Sequence, residues 1–350
     1  MNTMLKIASL GLIATATALI AAAPQDTKTP DLKTPDLKSP DLKTLDLKTL
    51  KGAIKIDGSS TVYPITEAVS EEFNKVAGKV RVTVGVSGTG GGFKRFCAGE
   101  TDISDASRPI KKAESDVAAK AGIDYVELPI AFDGLTIVVN PKNTWCSSLT
   151  MAEIKKIYSA SGTAKTWKDV NPSWPDKAIK VYSPGTDSGT FDYFKEVTVG
   201  KDGAIRSDMS VSEDDNVLVR GVEGDEGAIG FFGCAYYFEN KDKLKALTID
   251  GGKGPVAVST KTIEDGSYAP FSRPLFIYVN KKSAAKPEVA AFIEYYLKNA
   301  PKLVSEVGYV KLPDAIYAKV ASNWNARRTG TQFTKPTGEA VTGPLANVYE

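Results

Sequence analysis

Apolar and polar residues alternate along Val80, Val82, Val84 and Val86, the period of a half-buried strand. Nearly unbroken apolar runs at Leu128–Phe132, Leu135–Val139 and Leu275–Asn280 predict strands covered on both faces. Shorter strand-like runs stand at Ala53–Ile56, Ile179–Tyr182, Gly227–Gly233 and Pro255–Ser259. Between them the period changes to that of a helix. Ile65, Ala68, Val69, Phe73 and Val76 share a helical face, as do Phe93, Phe96 and Cys97, and Phe191, Phe194 and Val197. Thr150 with Glu153 is a capping box opening a helix with Ile154, Ile157 and Tyr158 inward. Further helices are expected from Ser212–Asn216 onward, over Pro287–Leu297 and over Pro313–Trp324.

Strands alternating with helices predict an α/β protein with mixed, mostly parallel sheets flanked by helices. The run ending in Val139-Asn140 is echoed by the one ending in Val279-Asn280, so the pair is expected to carry the chain between two lobes and back. This places 52–139 plus 276–328 in lobe 1, 140–275 in lobe 2, and 329–350 in a surface tail. Residues 1–23 hold one early Lys6, an apolar run and Ala21-Ala22-Ala23, which reads as a secretory signal peptide and predicts export. Residues 24–51 repeat a Thr-Pro-Asp-Leu-Lys unit whose prolines and single leucine cannot build a core, so a linker is expected, with a helical turn at its proline-free end.

Three of the strand-to-helix junctions share one chemistry. Gly58-Ser59-Ser60-Thr61-Val62-Tyr63-Pro64, Val86-Ser87-Gly88-Thr89-Gly90-Gly91-Gly92 and Ser183-Pro184-Gly185-Thr186-Asp187-Ser188-Gly189-Thr190 each set hydroxyls and glycines at a helix start. A single such loop is explained by capping alone. Three together suit a small oxyanion, because helix N-termini offer free N–H groups and the positive end of the dipole. Arg108, before Pro109 at the end of a small polar run, adds a planar fork suited to tetrahedral anions, although taken alone a surface ion pair is the plainer reading.

Composition narrows the function. The net charge of +2, from 44 basic and 42 acidic residues, argues against a nucleic-acid partner. The chain has no histidine, which removes Ser-His-Asp triads and histidine metal sites, and no metal or other cofactor is expected. Of the three cysteines, Cys97 and Cys146 are expected to form a disulfide in an exported chain, leaving Cys234 a buried thiol.

These loops, in this order, resemble the phosphate-binding receptors of bacterial phosphate ABC transporters, two-lobed periplasmic binding proteins of type II. The resemblance rests on Asp57–Pro64, Gly88–Phe93, Asp102–Pro109 and Pro184–Phe194, with lesser matches at Gly227–Gly233 and Gly308-Tyr309-Val310. It implies a monomeric extracytoplasmic protein that captures inorganic phosphate between its lobes, delivers it to a membrane permease and catalyses nothing. Carried across, it assigns anion contacts to Thr61 and Val62 with Ser60 adjacent, to Thr89 or Ser87 with Gly90, and to Ser188, Gly189 and Thr190. Some members have an arginine where Pro184 stands and a proton-accepting aspartate where Ser107 stands. Arg108 is the expected replacement for the first, Asp187 or Asp215 for the second. A sulfate receptor, a secreted phosphatase and an envelope interaction protein are the competing readings.

Overall fold

The computed structural model describes residues 46–350 except Thr163, Asp187, Lys201, Glu213 and Thr342. The expected signal peptide, and the repeat as far as Leu45, lie outside them. The proline-free end of the repeat folds as a turn. The Asp46 carboxylate accepts from the Lys48 N–H at 3.0 Å, and Leu50 is buried against the core.

Among the described residues the strands are β1 (Gly52–Gly58), β2 (Val80–Val86), β3 (Ile103–Ala106), β4 (Tyr125–Val139), β5 (Ser148–Thr150), β6 (Lys180–Ser183), β7 (Ser210–Val211), β8 (Ala228–Gly233), β9 (Lys245–Ala246), β10 (Thr248–Asp250), β11 (Pro255–Val256) and β12 (Ser272–Asn280). The helices are α1 (Tyr63–Val76), α2 (Gly88–Cys97), α3 (Lys112–Lys120), α4 (Met151–Tyr158), α5 (Trp167–Val170), α6 (Gly189–Val199), α7 (Asp215–Gly224), α8 (Cys234–Glu239), α9 (Thr260–Glu264), α10 (Pro287–Glu306), α11 (Asp314–Asn325) and α12 (Leu345–Val348). A mixed sheet runs in the order β2-β1-β3-β12-β4-β8-β6-β7, and β5, β10 and β11 form a small second sheet.

The sheet has two halves that meet on β4. Every residue of β4 from Tyr125 to Val139 is buried, and it changes partner along its length. Tyr125–Gly134 lies antiparallel to β12, whereas Leu135–Val139 lies antiparallel to β8. β1 pairs in parallel with β2 and β3 on the first side, and β6 with β8 and β7 on the second. The parallel strands therefore deliver the loops after β1, β2 and β6 to helix starts, as the sequence pattern requires.

Four expectations change. The runs Leu128–Phe132 and Leu135–Val139, expected as separate strands, are one continuous strand, because Asp133 and Gly134 between them are both buried inside it. Gly134 sits there because a side chain would stand 2.6 Å from Ile263 Cδ1 and 2.9 Å from Cys234 Sγ. The two echoing runs take different partners: Leu275–Asn280 pairs with Tyr125–Ala131, and the halves join where Ser272 opposes Gly134. The strand expected at Pro255–Ser259 shortens to Pro255–Val256.

The C-terminal stretch does not trail over the surface. Phe333, Leu345 and Tyr349 are buried, with Phe333 edge-on to Phe276 at 5.0 Å. Glu127, on β4, fixes this segment by accepting from the Gln332 N–H at 2.9 Å, and Tyr349 donates its hydroxyl to the Glu127 carbonyl at 3.0 Å. The expected Cys97–Cys146 disulfide is absent: all three cysteines are free and buried. Cys97 Sγ is held against the Glu114 carbonyl on α3, whereas Cys146 Sγ meets the Ser148 carbonyl beside β5 in the other half. Burial pushes the Cys97 thiol up to about 11 and the Cys146 and Cys234 thiols up to about 12, so all three stay protonated at neutral pH.

Candidate anion site

The first loop leaves β1 at Gly58, whose φ of +151° and lack of a side chain let it lie on the Asp105 carbonyl; a Cβ would stand 2.1 Å from that oxygen. The Ser59 N–H donates to the same carbonyl at 2.9 Å, and Ser59 Oγ accepts from the Thr61 N–H at 3.2 Å. The turn delivers Thr61, buried, to the start of α1, while Ser60 is half-buried. The Val62 N–H, expected to face an anion, closes the turn on the Ser59 carbonyl at 3.2 Å.

The second loop divides its hydroxyls. Ser87 Oγ donates to Asp57 Oδ2 at 2.9 Å, and Arg95 Nη1 donates to the same oxygen at 2.7 Å, so Ser87 braces the loop against β1. The Thr89 and Ser107 hydroxyls hydrogen-bond each other at 3.0 Å, and Thr89 Oγ1 also accepts from the Ser107 N–H. Gly92 packs on the first loop so closely that a Cβ would stand 2.5 Å from Gly58 Cα, which sets the first turn of α2 beside that of α1.

The third loop meets the first directly. Ser188 caps α6, its Oγ accepting from the Thr190 N–H at 3.2 Å, and Gly189 opens the helix. Thr61 Oγ1 donates to the Gly189 carbonyl at 3.3 Å, 128 residues along the chain. A Cβ on Gly189 would stand 2.5 Å from Thr61 Cα, so only glycine allows the contact. Thr190 is half-buried beside it.

Arg273 stands at this junction. Its Nη2 donates to Thr61 Oγ1 at 3.2 Å and its Nε to Asp133 Oδ2 at 3.4 Å. Its guanidinium carbon lies 3.6 Å from the centre of the Tyr193 ring on α6. A cation is thereby fixed between the two halves by a carboxylate from β4, a ring from α6 and a hydroxyl from the α1 start. Burial pushes the Asp133 carboxyl up and Arg273 draws it back. Arg108 is held differently: Nη1 and Nη2 clasp Glu114 at 2.9 and 2.7 Å, with the guanidinium over Phe93. Its Nη2 lies 4.0 Å from where a Gly90 side chain would start, so it flanks the second loop.

The structure thus brings Thr61, Ser188, Gly189 and Thr190 to one junction, and sets Thr89, Gly90, Ser107 and Arg108 on the neighbouring α2 side. Ser87 and the Val62 N–H face inward as supports. Asp187 lies outside the described residues, and Asp215 opens α7 behind its Asp214 cap. Sequence reasoning missed Arg273. Its signal was Asp133-Gly134 and Ser272-Arg273-Pro274, opposite charges at the ends of the two runs expected to cross, which the register places face to face.

Two α/β halves joined by a crossing strand pair, with small-residue helix starts facing each other across the join, define a solute-binding receptor. The chain belongs to that family: the PBP superfamily domain matches residues 25–300. It is 50% identical over 296 residues to protein SphX of Synechococcus elongatus, covering 84% of this chain and 86% of that one. It shares 46% identity over 274 residues with the phosphate-binding protein PstS of Staphylococcus saprophyticus, covering 78% and 84% of the two chains. The crystal structure of a possible phosphate binding protein from Planctomyces limnophilus matches with a TM-score of 0.78 at 46% identity, covering 80% of this chain and all of that one.

Proposed function

We propose that this protein binds inorganic phosphate as the extracytoplasmic receptor of an ABC importer. The observation that carries the reading is the Thr61 hydroxyl, which takes a hydrogen bond from Arg273 and gives one to the first residue of α6. The shared descent from PstS-type phosphate-binding proteins supports it.

In this reading residues 52–139 and 276–328 act as one lobe and 140–275 as the other, with the tail from 329 added to the first. The change of partners along β4, from β12 at Gly134 to β8 at Leu135, supports two lobes and favours a boundary near Gly134 and Ser272 rather than at Val139 and Leu275. Closure brings α6 onto the starts of α1 and α2, and phosphate oxygens exchange water for hydroxyls, N–H groups and one guanidinium. Ser60, Thr61, Thr89, Gly90, Ser107, Arg273, Ser188, Gly189 and Thr190 supply the contacts, and Arg108 supplies field from the α2 side. A shell of mostly neutral donors lets the ion leave when the lobes part. The protein acts as an exported monomer, its signal peptide directs export, its partner is the permease, and no chemical step is assigned to it.

A thermal-shift panel of phosphate, arsenate, sulfate and molybdate tests the reading. A ligand at a hundred times its Kd stabilises the native state by about 2.7 kcal/mol. Phosphate and arsenate should raise Tm and sulfate should not; a larger shift with sulfate would move the protein to the sulfate receptors.

A further inference from the structure

Glu127 and Tyr278 stand opposite each other in the antiparallel register of β4 and β12, and both are buried. The Tyr278 hydroxyl donates to Glu127 Oε2 at 2.7 Å and accepts from the Ile110 N–H at 2.9 Å. Its ring meets Phe93 of α2 edge-on at 4.9 Å, and Phe93 lies beneath the Arg108 guanidinium. Tyr278 thus touches both pieces of chain on the α2 side of the anion site. One is α2, whose first turn holds Thr89 and Gly90; the other is the segment that follows Ser107 and Arg108.

The second oxygen of Glu127 reaches the C-terminal segment. Oε1 accepts from the Gln332 N–H at 2.9 Å, and Thr334 Oγ1, two residues on, donates to the Ile110 carbonyl at 2.8 Å. Ile110 is therefore held at its N–H through Tyr278 and at its carbonyl through the tail, and both routes lead back to Glu127. Only an ionised carboxylate completes them, because it accepts at both oxygens. A protonated carboxyl, or an amide, turns one acceptor into a donor that faces the Gln332 N–H or the Tyr278 hydroxyl. The titratable groups facing Glu127 are Tyr278 on β12, Tyr125 on β4 and Tyr349 of the tail. Burial pushes all three phenols up, so they stay neutral. Arg328 of the tail faces Tyr349 and donates to the Glu350 carbonyl at 2.6 Å.

We propose that Glu127 is a positioning residue for phosphate, its ionised carboxylate fixing Thr89, Ser107 and Arg108 through Tyr278 and the tail. The proposal rests on the phosphate reading above and adds to it a residue buried in the core. Burial pushes Glu127 up to about 7, so its charge changes across the neutral range. With the folded value raised, stability is fullest with Glu127 protonated and falls as pH rises through about 7. The order of the α2 side should change in the opposite direction, which separates positioning from mere support.

Calorimetry on the full chain with inorganic phosphate, from about pH 5.5 to 8.5, compares wild type with Glu127→Gln. The ratio of their Kd values cancels the titration of phosphate itself. The two should agree within about twofold at the acid end, and the wild type should bind about fivefold tighter at the basic end. A merely structural role predicts the reverse trend, because glutamine relieves the core of a buried charge at high pH. Tyr278→Phe keeps the ring on Phe93 and removes the hydroxyl between Glu127 and Ile110. It should weaken phosphate about fivefold at the basic end, and Glu127→Gln added to it should cost less than about twofold more. Three results each overturn the proposal and leave the phosphate reading intact. They are a Kd ratio that stays flat or falls with pH, wild-type affinity in Tyr278→Phe, and an undiminished cost of Glu127→Gln in that background. Failure of the wild type to bind phosphate overturns both.

Discussion

Arg273 Nη2 and Thr61 Oγ1 lie 3.2 Å apart, although 212 residues separate them in the chain. This contact joins the strand by which the chain returns to its first half to the first helix start of that half. It also makes Arg273 the cation placed at the junction, while Arg108 is taken up by Glu114. Arg273→Ala should therefore weaken phosphate binding more than Arg108→Ala does, by about tenfold or more, since a hydrogen bond to a charged group is worth about 1.5–3 kcal/mol. Arg273→Lys should recover only part, because an ammonium cannot hold Asp133 and Thr61 together as the fork does. Titration calorimetry of the three variants decides the order, and a larger loss in Arg108→Ala would return the role to that residue.

Gly189 is a tight point between the two halves. A methyl group there would meet Thr61 N at 2.6 Å and Oγ1 at 2.7 Å, atoms of a buried turn that cannot yield cheaply. Gly189→Ala should cut phosphate affinity by about tenfold or more, since that is only about 1.4 kcal/mol of misfit. Gly224→Ala, where a new Cβ meets nothing within 4 Å, should leave affinity unchanged. Wild-type affinity in Gly189→Ala would show that the halves need not approach this closely to bind.

These contacts divide what the sequence discloses from what it does not. The loops after β1, β2 and β6 are local patterns of hydroxyls and glycines at strand ends, so Thr61, Thr89 and Ser188 could be named before any tertiary structure was known. Arg273 could not, because its meaning depends on lying opposite Asp133 in an antiparallel register that no local pattern encodes. Arg108 and Ser87 show the converse. Their residue types suit an anion, but Glu114 and Asp57 compete for them from other elements, and tertiary pairing wins. The tail was misread for its glycine, threonine and proline content, which outweighed the three large residues, Phe333, Leu345 and Tyr349, that bury it.

Asp105 lies fully buried on β3, and its own carbonyl holds the Ser59 turn. Burial pushes its carboxyl up to about 8 from the usual 3.8, and the nearby Asp57 adds to the shift. A carboxyl raised in the folded state binds its proton more tightly there than in the unfolded chain. Stability is then greatest below the unfolded value and falls as pH rises toward about 8. Asp105→Asn should remove much of that slope, which is up to about 1.4 kcal/mol per pH unit. Glu127, which burial pushes up to about 7, leaves a slope of the same sign in the variant, over a window that closes about a unit lower. Urea unfolding at several pH values from 5 to 9 measures both, and parallel curves for wild type and variant would refute the assignment.

The central claim is that phosphate is held where Thr61 meets Arg273 and the start of α6. Thr61→Val keeps the shape of a buried, β-branched residue and removes only the hydroxyl that joins them. Titration calorimetry with phosphate should give one site in the wild type and an affinity about tenfold or more weaker in Thr61→Val, the loss expected of one hydrogen bond to a charged group. Equal phosphate affinity in wild type and Thr61→Val would contradict the account.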